Sequence, residues 1–192
     1  MPDVVWGELI GLRPLRPSDA AAMRRFVMDP EVAHLLFEEK NGEPPSAFAL
    51  GLMIFFQNMA MRTEWGIVER DGRLIGSVKL WRISERNRSA MLTIYIGEHS
   101  TWSHGYGTDA LRLALRQAFG PLGLNRVELH VFEFNGRAIR CYEKAGFVRE
   151  GVRRSALARG SQYHNILVMG ILRDEFFARE AERESAALTH TS

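Results

Sequence analysis

Two hydrophobic periods alternate along this chain, and they lay out its elements. Residues 9–15 read as a short strand, closed by Pro17. Ser18 offers an N-cap to a helix over 19–27, which Asp29-Pro30 interrupts. A second short helix is expected over 31–37, then a loop over 41–45. Phe48, Leu52, Phe55 and Met59 stand at helical spacing and predict a helix over 47–61.

Strand character then takes over. Residues 65–69 and 74–81 flank Asp71-Gly72, a strong hairpin signal. A polar turn over 84–89 leads into a strand over 91–96. Leu111, Leu115 and Ala118 lie on one side of a helix ending near Phe119. Residues 126–132 form a strand. Asn135 caps a helix that runs to Ala145 and stops at Gly146, a natural left-handed C-terminal residue. Residues 147–157 and 163–172 pair around Arg159-Gly160. Beyond Phe177 the chain is charged, then rich in Ser, Thr and Ala, and is expected to fray. The order β-α-α-α-β-β-β-α-β-α-β-β predicts an α/β fold of α+β type. It is a central twisted mixed sheet of about seven strands with helices on both faces. A single domain over 8–177 and a flexible tail over 178–192 follow.

Bulk properties narrow the partners. The 192 residues suit one domain with its own core. A net charge of +2 argues against nucleic acid as the main partner. Cys141 is the single cysteine, so no internal disulfide forms. Residues 1–15 mix charges with apolar side chains and lack a signal-peptide core. The apolar stretch 47–61 is too short to span a bilayer and carries Gln57 and Asn58. A soluble cytoplasmic protein with no membrane partner is the expectation. The histidines form no HExxH or Cys/His cluster, so no metal is expected.

Two segments stand out chemically. Gly105-Tyr106-Gly107 lies between a strand and a helix. A helix start presents unpaired N–H groups that suit a phosphate, and glycines let the phosphate approach. A plain tight turn is the other reading. The loop is no Walker A motif, and it lacks the third glycine of the dinucleotide fingerprint. One strand later, Ala138, Tyr142 and Ala145 share a helical face. They could border a narrow ligand, or Tyr142 could be a core aromatic with its hydroxyl at the surface.

Together these segments resemble a known family. Trp102-Ser103-His104-Gly105-Tyr106-Gly107-Thr108-Asp109-Ala110 is similar to the pyrophosphate-binding motif of GNAT acetyltransferases. The nearest branch holds ribosomal-protein N-terminal acetyltransferases and the related polyamine and antibiotic enzymes. Residues 135–147 resemble that branch's second motif, Asn-x-x-Ala-x-x-x-Tyr-Glu-Lys-x-Gly-Phe. The segments at 12–15, 163–169 and 172–176 resemble its opening and its ending, so the similarity spans roughly residues 8–177. Trp102 stands where the wider family often has Gln or Arg.

The resemblance implies acetyl-CoA as donor. Backbone N–H groups around His104, Gly105, Tyr106, Gly107 and Thr108 are then expected to hold the pyrophosphate. Asn135 is expected to hydrogen-bond the pantetheine arm. The strand near Ile94 and Ile96 is expected to pair with that arm and to polarise the thioester carbonyl. Tyr142 becomes the general acid beside the sulfur. The acceptor is expected to be a small-molecule or peptide amine, attacked directly in a ternary complex. A homodimer is the assembly common in the family. A non-catalytic acyl-CoA-binding or protein-interaction module of the same fold is the alternative.

Magnitudes constrain the chemistry. An aliphatic amine with a pKa about 10.4 is neutral in roughly one molecule in 2,500 at pH 7, and only that form attacks. A tyrosine near 10 giving its proton to a thiolate near 8.5 runs uphill by about 2 kcal/mol. Tyr142 is therefore read as a hydrogen-bond donor whose proton moves as the intermediate collapses. Glu128 is the candidate base. His130 shares its sheet face, and Glu98 and His99 are rivals. Arg149, Arg153, Arg154 and Arg159, or Arg137, Arg140 and Lys144, could meet the 3′-phosphate of CoA or form a solvated basic face. Cys141 lies about 100° from Tyr142 around the helix and is not read as a nucleophile.

Overall fold

The computed structural model describes residues 4–36, 46–60 and 63–189. Its eight strands form one mixed sheet in the order β1-β2-β3-β4-β5-β6-β8-β7. The strands are β1 (Val5–Trp6), β2 (Gly11–Pro14), β3 (Glu64–Val68), β4 (Leu74–Ser84), β5 (Ser89–Ile96), β6 (Arg126–Phe132), β7 (Val148–Arg159) and β8 (Gln162–Leu172). The helices are α1 (Ala20–Met28), α2 (Pro30–Leu36), α3 (Ala47–Ala60), α4 (Tyr106–Phe119), α5 (Gly136–Ala145) and α6 (Arg173–Thr189). All strand pairs are antiparallel except β5 with β6.

Successive strand residues point to opposite faces, and the two cores separate accordingly. Ile67, Ile75, Val127 and Leu129 join Leu111, Ala114 and Leu115 of α4 and Ile139 of α5 on one face. Their neighbours Val68 and Leu74 turn the other way. They meet Ala20, Met23 and Phe26 of α1 and Ile54 of α3. A buried bidentate pair, Arg13 to Asp19 at 2.7 and 2.9 Å, ties β2 to the start of α1.

The layered mixed sheet is as expected, with additions. The short edge strand β1 raises the count from about seven to eight. Ser18 does not cap α1. A 3₁₀ turn over Pro17–Asp19 precedes it, and the Asp19 carboxylate accepts from the Arg16 N–H instead. The end of the second helix at Phe37, the loop over 41–45 and residue 61 lie outside the described residues. Beyond Phe177 the chain continues as α6, which covers Arg173–Thr189. Phe176 is buried against Phe119, and Glu180 is buried where it meets Arg116 and Arg183. Those partners lie 64 residues upstream and three downstream.

Candidate active site

The pairing of β5 with β6 covers Ser89–Met91 against Arg126–Glu128 and stops there. Beyond Met91 the two strands part, and a cavity of about 550 Å³ opens between them. Leu92 to Ile96 and His130 to Phe132 form its strand walls.

The register decides which backbone groups face this gap. The Gly97 N–H donates to Ile75 O across β4. Antiparallel bonding alternates, so Tyr95 and Thr93 exchange their bonds with β4. The peptide groups of Ile94 and Ile96 therefore face the gap. The indole N–H of Trp102 donates to Ile96 O at 2.9 Å, which takes one of those groups.

α4 enters at one end. Its N-cap, Gly105, adopts φ +84°, a conformation glycine reaches without strain. No side chain caps this helix start among the described residues, so the N–H groups of Tyr106, Gly107 and Thr108 are available to an anion. A Cβ on Gly107 would stand 3.1 Å from Cys141 Sγ, and this close approach packs α4 on α5. His104 is exposed and lies outside the cavity lining. The left-handed residues on either side of it, Ser103 (φ 66°) and Gly105, turn it outward.

α5 forms the next wall. Asn135 Oδ1 accepts from the Ala138 N–H, so its oxygen caps the helix. Asn135 also lines the cavity. Tyr142 is buried, packs edge-on against Phe147 with centroids 6.0 Å apart, and lines the cavity. Burial pushes its phenol well above the usual tyrosine range. Cys141 sits 3.3 Å from the Thr108 hydroxyl, and burial pushes its thiol up as well. A raised thiol is a poor nucleophile near neutral pH. The Arg137 guanidinium stacks 3.5 Å from the Trp102 ring centroid, and burial lowers its pKa. Trp102 thus supplies a polar contact of its own, legible only once the indole is seen between Ile96 and Arg137.

On the opposite face, His130 lines the cavity and Glu128 does not. Glu128 Oε1 is 3.2 Å from His130 Nε2, and its other oxygen accepts from Arg126 at 2.6 Å. Arg126 also binds Glu150. Glu128 thus stands behind His130, two residues away on the same strand face. Glu98 and His99 lie elsewhere: Glu98 meets Arg25 and Arg73, and His99 meets Asp29 at 3.0 Å. Arg149 is held by Glu143, while Arg159 donates to His34 O. Arg137, Arg140 and Lys144 line the cavity at its α5 wall. No group of three or more metal-ligating side chains occurs among the described residues. No helix among them is long and apolar enough to cross a membrane.

An uncapped helix start and a buried tyrosine thus line one cavity at the gap in a mixed sheet. Comparison with known proteins gives the class. Residues 10–148 match the acetyltransferase (GNAT) domain model. The chain is 29% identical over 170 residues to the spermidine N(1)-acetyltransferase of Escherichia coli K12, covering 88% of this chain and 89% of that one. It is 37% identical over 105 residues to the probable N-acetyltransferase YjcK of Bacillus subtilis, spanning 53% of this chain and 56% of that protein. The spermidine N-acetyltransferase of Vibrio cholerae, solved with CoA and spermine, superposes with TM-score 0.76. It does so at 24% identity over 88% of this chain and 98% of that one, a likeness of fold. This chain belongs to the GNAT acetyltransferases, and its donor is acetyl-CoA. Relatives from both arms of the expected branch, polyamine and ribosomal, are among the matches.

Proposed function

We propose that the chain acetylates a primary amine by direct attack on acetyl-CoA within a ternary complex. The observation that carries this reading is the gap between β5 and β6, lined by Tyr142 from one face and His130 from the other. Donor and acceptor can then meet in one cavity without a covalent enzyme intermediate. The pyrophosphate lies on the N–H groups of Gly105 to Thr108, and the pantetheine arm runs along Ile94 and Ile96 with Asn135 beside it. An N–H of that strand polarises the thioester carbonyl.

The amine nitrogen forms a bond to the carbonyl carbon, and the carbon–sulfur bond breaks. The amine gives up one proton and the departing sulfur takes one. His130 receives the first proton, directly or through one water, and Glu128 steadies the imidazolium that results. This assigns Glu128 a positioning part and moves the base to the side chain that meets the cavity. Tyr142 faces the sulfur. With its phenol held neutral by burial, it donates a hydrogen bond to the developing thiolate and releases its proton only as the intermediate collapses.

Initial rates measured over a grid of acetyl-CoA and amine concentrations test the ternary complex. Intersecting reciprocal plots are expected. Parallel plots would mean a ping-pong path through an acetylated residue and would defeat the direct-attack reading.

A further inference from the structure

One carboxylate fastens the turn between β1 and β2 to the start of α4. Asp109 stands in the first turn of that helix and is buried. Its Oδ2 accepts from the Leu9 N–H at 2.8 Å and the Ile10 N–H at 3.1 Å, and its Oδ1 accepts from the Glu8 N–H at 3.3 Å. These donors lie 99 to 101 residues upstream. The Gly7 N–H closes the same turn on Ile10 O at 2.8 Å. A Cβ at Gly7 would stand 2.5 Å from Asp109 Oδ2, so the close approach needs glycine. Arg70 donates to the carbonyls of Gly7 and Glu8, which holds the turn by its acceptors as Asp109 holds it by its donors.

The turn meets the glycine loop directly. A Cβ at Gly105 would stand 3.2 Å from Leu9 Cδ1, so Leu9 packs against the left-handed N-cap of α4. The Asp109 N–H closes the first turn of the helix on Gly105 O at 3.1 Å. Gly105 to Thr108 line the cavity, and Asp109 does not. Its carboxylate therefore lies behind the N–H groups read as holding the pyrophosphate. A buried carboxylate with three N–H donors is held firmly, because parting them leaves a buried charge and its donors unpaired. Hydrogen bonds to a phosphate weaken steeply with misalignment, so the group that fixes the helix start also tunes donor affinity.

We infer that Asp109 is a positioning residue for the acyl donor. Through Leu9 and the β1–β2 turn it holds the α4 N-terminus in line with the pyrophosphate, without touching the donor itself. The inference rests on the reading of the pyrophosphate at Gly105 to Thr108 and deepens it. Trp102 holds the same loop from the strand side, through Ile96 O. The role predicts a selective defect. The pantetheine arm is read along β5, whose register is set by β4 and not by Asp109. Loss of Asp109 should therefore be felt by the phosphate-bearing part of the donor and not by its arm.

Titration calorimetry with two donors tests it: acetyl-CoA, and S-acetylpantetheine, which keeps the thioester and the arm but carries no phosphate. The unmodified protein should bind acetyl-CoA about tenfold or more tighter than S-acetylpantetheine. Asp109→Asn keeps the shape and turns one acceptor oxygen into an amide donor. It should weaken acetyl-CoA about tenfold and S-acetylpantetheine by less than about twofold. Equal weakening of both donors would make Asp109 a support of the fold at large and overturn the inference, as would weakening of neither; both outcomes leave the pyrophosphate reading standing. Equal affinity of the unmodified protein for the two donors would overturn that reading and the inference with it. Leu9→Ala keeps the carboxylate and its hydrogen bonds and changes a side chain that is 43% exposed. It should weaken acetyl-CoA selectively, about threefold. Should Asp109→Asn fail to fold, Leu9→Ala decides, and an unchanged ratio between the donors there would overturn the inference.

Discussion

Trp102 donates its indole N–H to the carbonyl of Ile96 while Arg137 lies 3.5 Å over its ring. One side chain thus joins the donor strand, the glycine loop and the first turn of α5. These are the segments read as holding pantetheine and pyrophosphate. The expected consequence is on donor binding. Trp102→Ala loses a hydrogen bond and a cation–π contact worth together about 2 kcal/mol. Calorimetric titration should show acetyl-CoA affinity down about tenfold or more. Trp102→Phe, which keeps the ring, should fall between. Unchanged affinity in the alanine variant would remove this residue from the donor site.

Tyr142→Phe removes only the hydroxyl. The phenol is most strongly engaged as charge builds on sulfur, so the loss should fall on kcat more than on donor KM. About 10² is expected. Because burial raises the Tyr142 pKa, the phenol stays protonated through ordinary assay pH. The unmodified enzyme should therefore show no alkaline fall in kcat from this group up to pH about 10. A wild-type kcat in the Phe variant, with chemistry limiting, would make Tyr142 a packing residue.

His130→Gln should change the shape of the pH profile as well as its height. Without a base, only the neutral amine reacts, and kcat/KM should climb about tenfold per pH unit toward the amine pKa. Near pH 7 the loss should be about 10 to 10²-fold. Glu128→Gln should cost less and keep more of the original profile, because His130 itself remains. Steady-state kinetics from pH 6 to 10 separate the two. Equal profiles for His130→Gln and the parent would return the base to another group or to solvent.

Much of this was legible from residue patterns, for reasons that can be stated. Alternation in β6, the Asp71-Gly72 hairpin signal between β3 and β4, and the apolar side of α4 are local signals that the tertiary structure keeps. The glycine loop and the Asn135-to-Phe147 segment were visible because their spacing is fixed by chemistry. Other features depend on partners distant in sequence. Glu180 looked like part of a charged tail, but it is buried because Arg116 lies beside it across the fold. Glu128 and His130 share one face, as strand alternation required. Which of them meets the cavity depends on Arg126, itself bound to Glu150, drawing the Glu128 carboxylate away. His104 sits in the motif, but two left-handed neighbours turn it out of the cavity.

The Arg13–Asp19 pair predicts a stability effect. Burial alone would raise the Asp19 pKa. The Arg13 hydrogen bond, with the Arg16 N–H and both positive charges, outweighs it and holds the carboxyl below its ordinary value. A depressed folded-state pKa stabilises above the unfolded value, near 3.9, and the benefit is lost as pH falls through the folded pKa. Asp19→Asn leaves Arg13 buried without its counter-charge and should cost about 3 kcal/mol at pH 7. Urea unfolding at pH 7 and at pH 3 measures this. The gap between parent and variant should narrow at the lower pH, and a pH-independent gap would show that the charge is not what matters.

The central claim is acetyl transfer from acetyl-CoA to an amine, and one measurement addresses it most directly. The purified protein is incubated with acetyl-CoA and hexylamine, and free CoA thiol and N-acetylated amine are quantified together by mass spectrometry. Thiol and amide should appear in equal amounts, only with both substrates present, and about a hundredfold more slowly with Tyr142→Phe. Thiol released without amide, or no amide from any primary amine tried while acetyl-CoA is bound, would contradict the account.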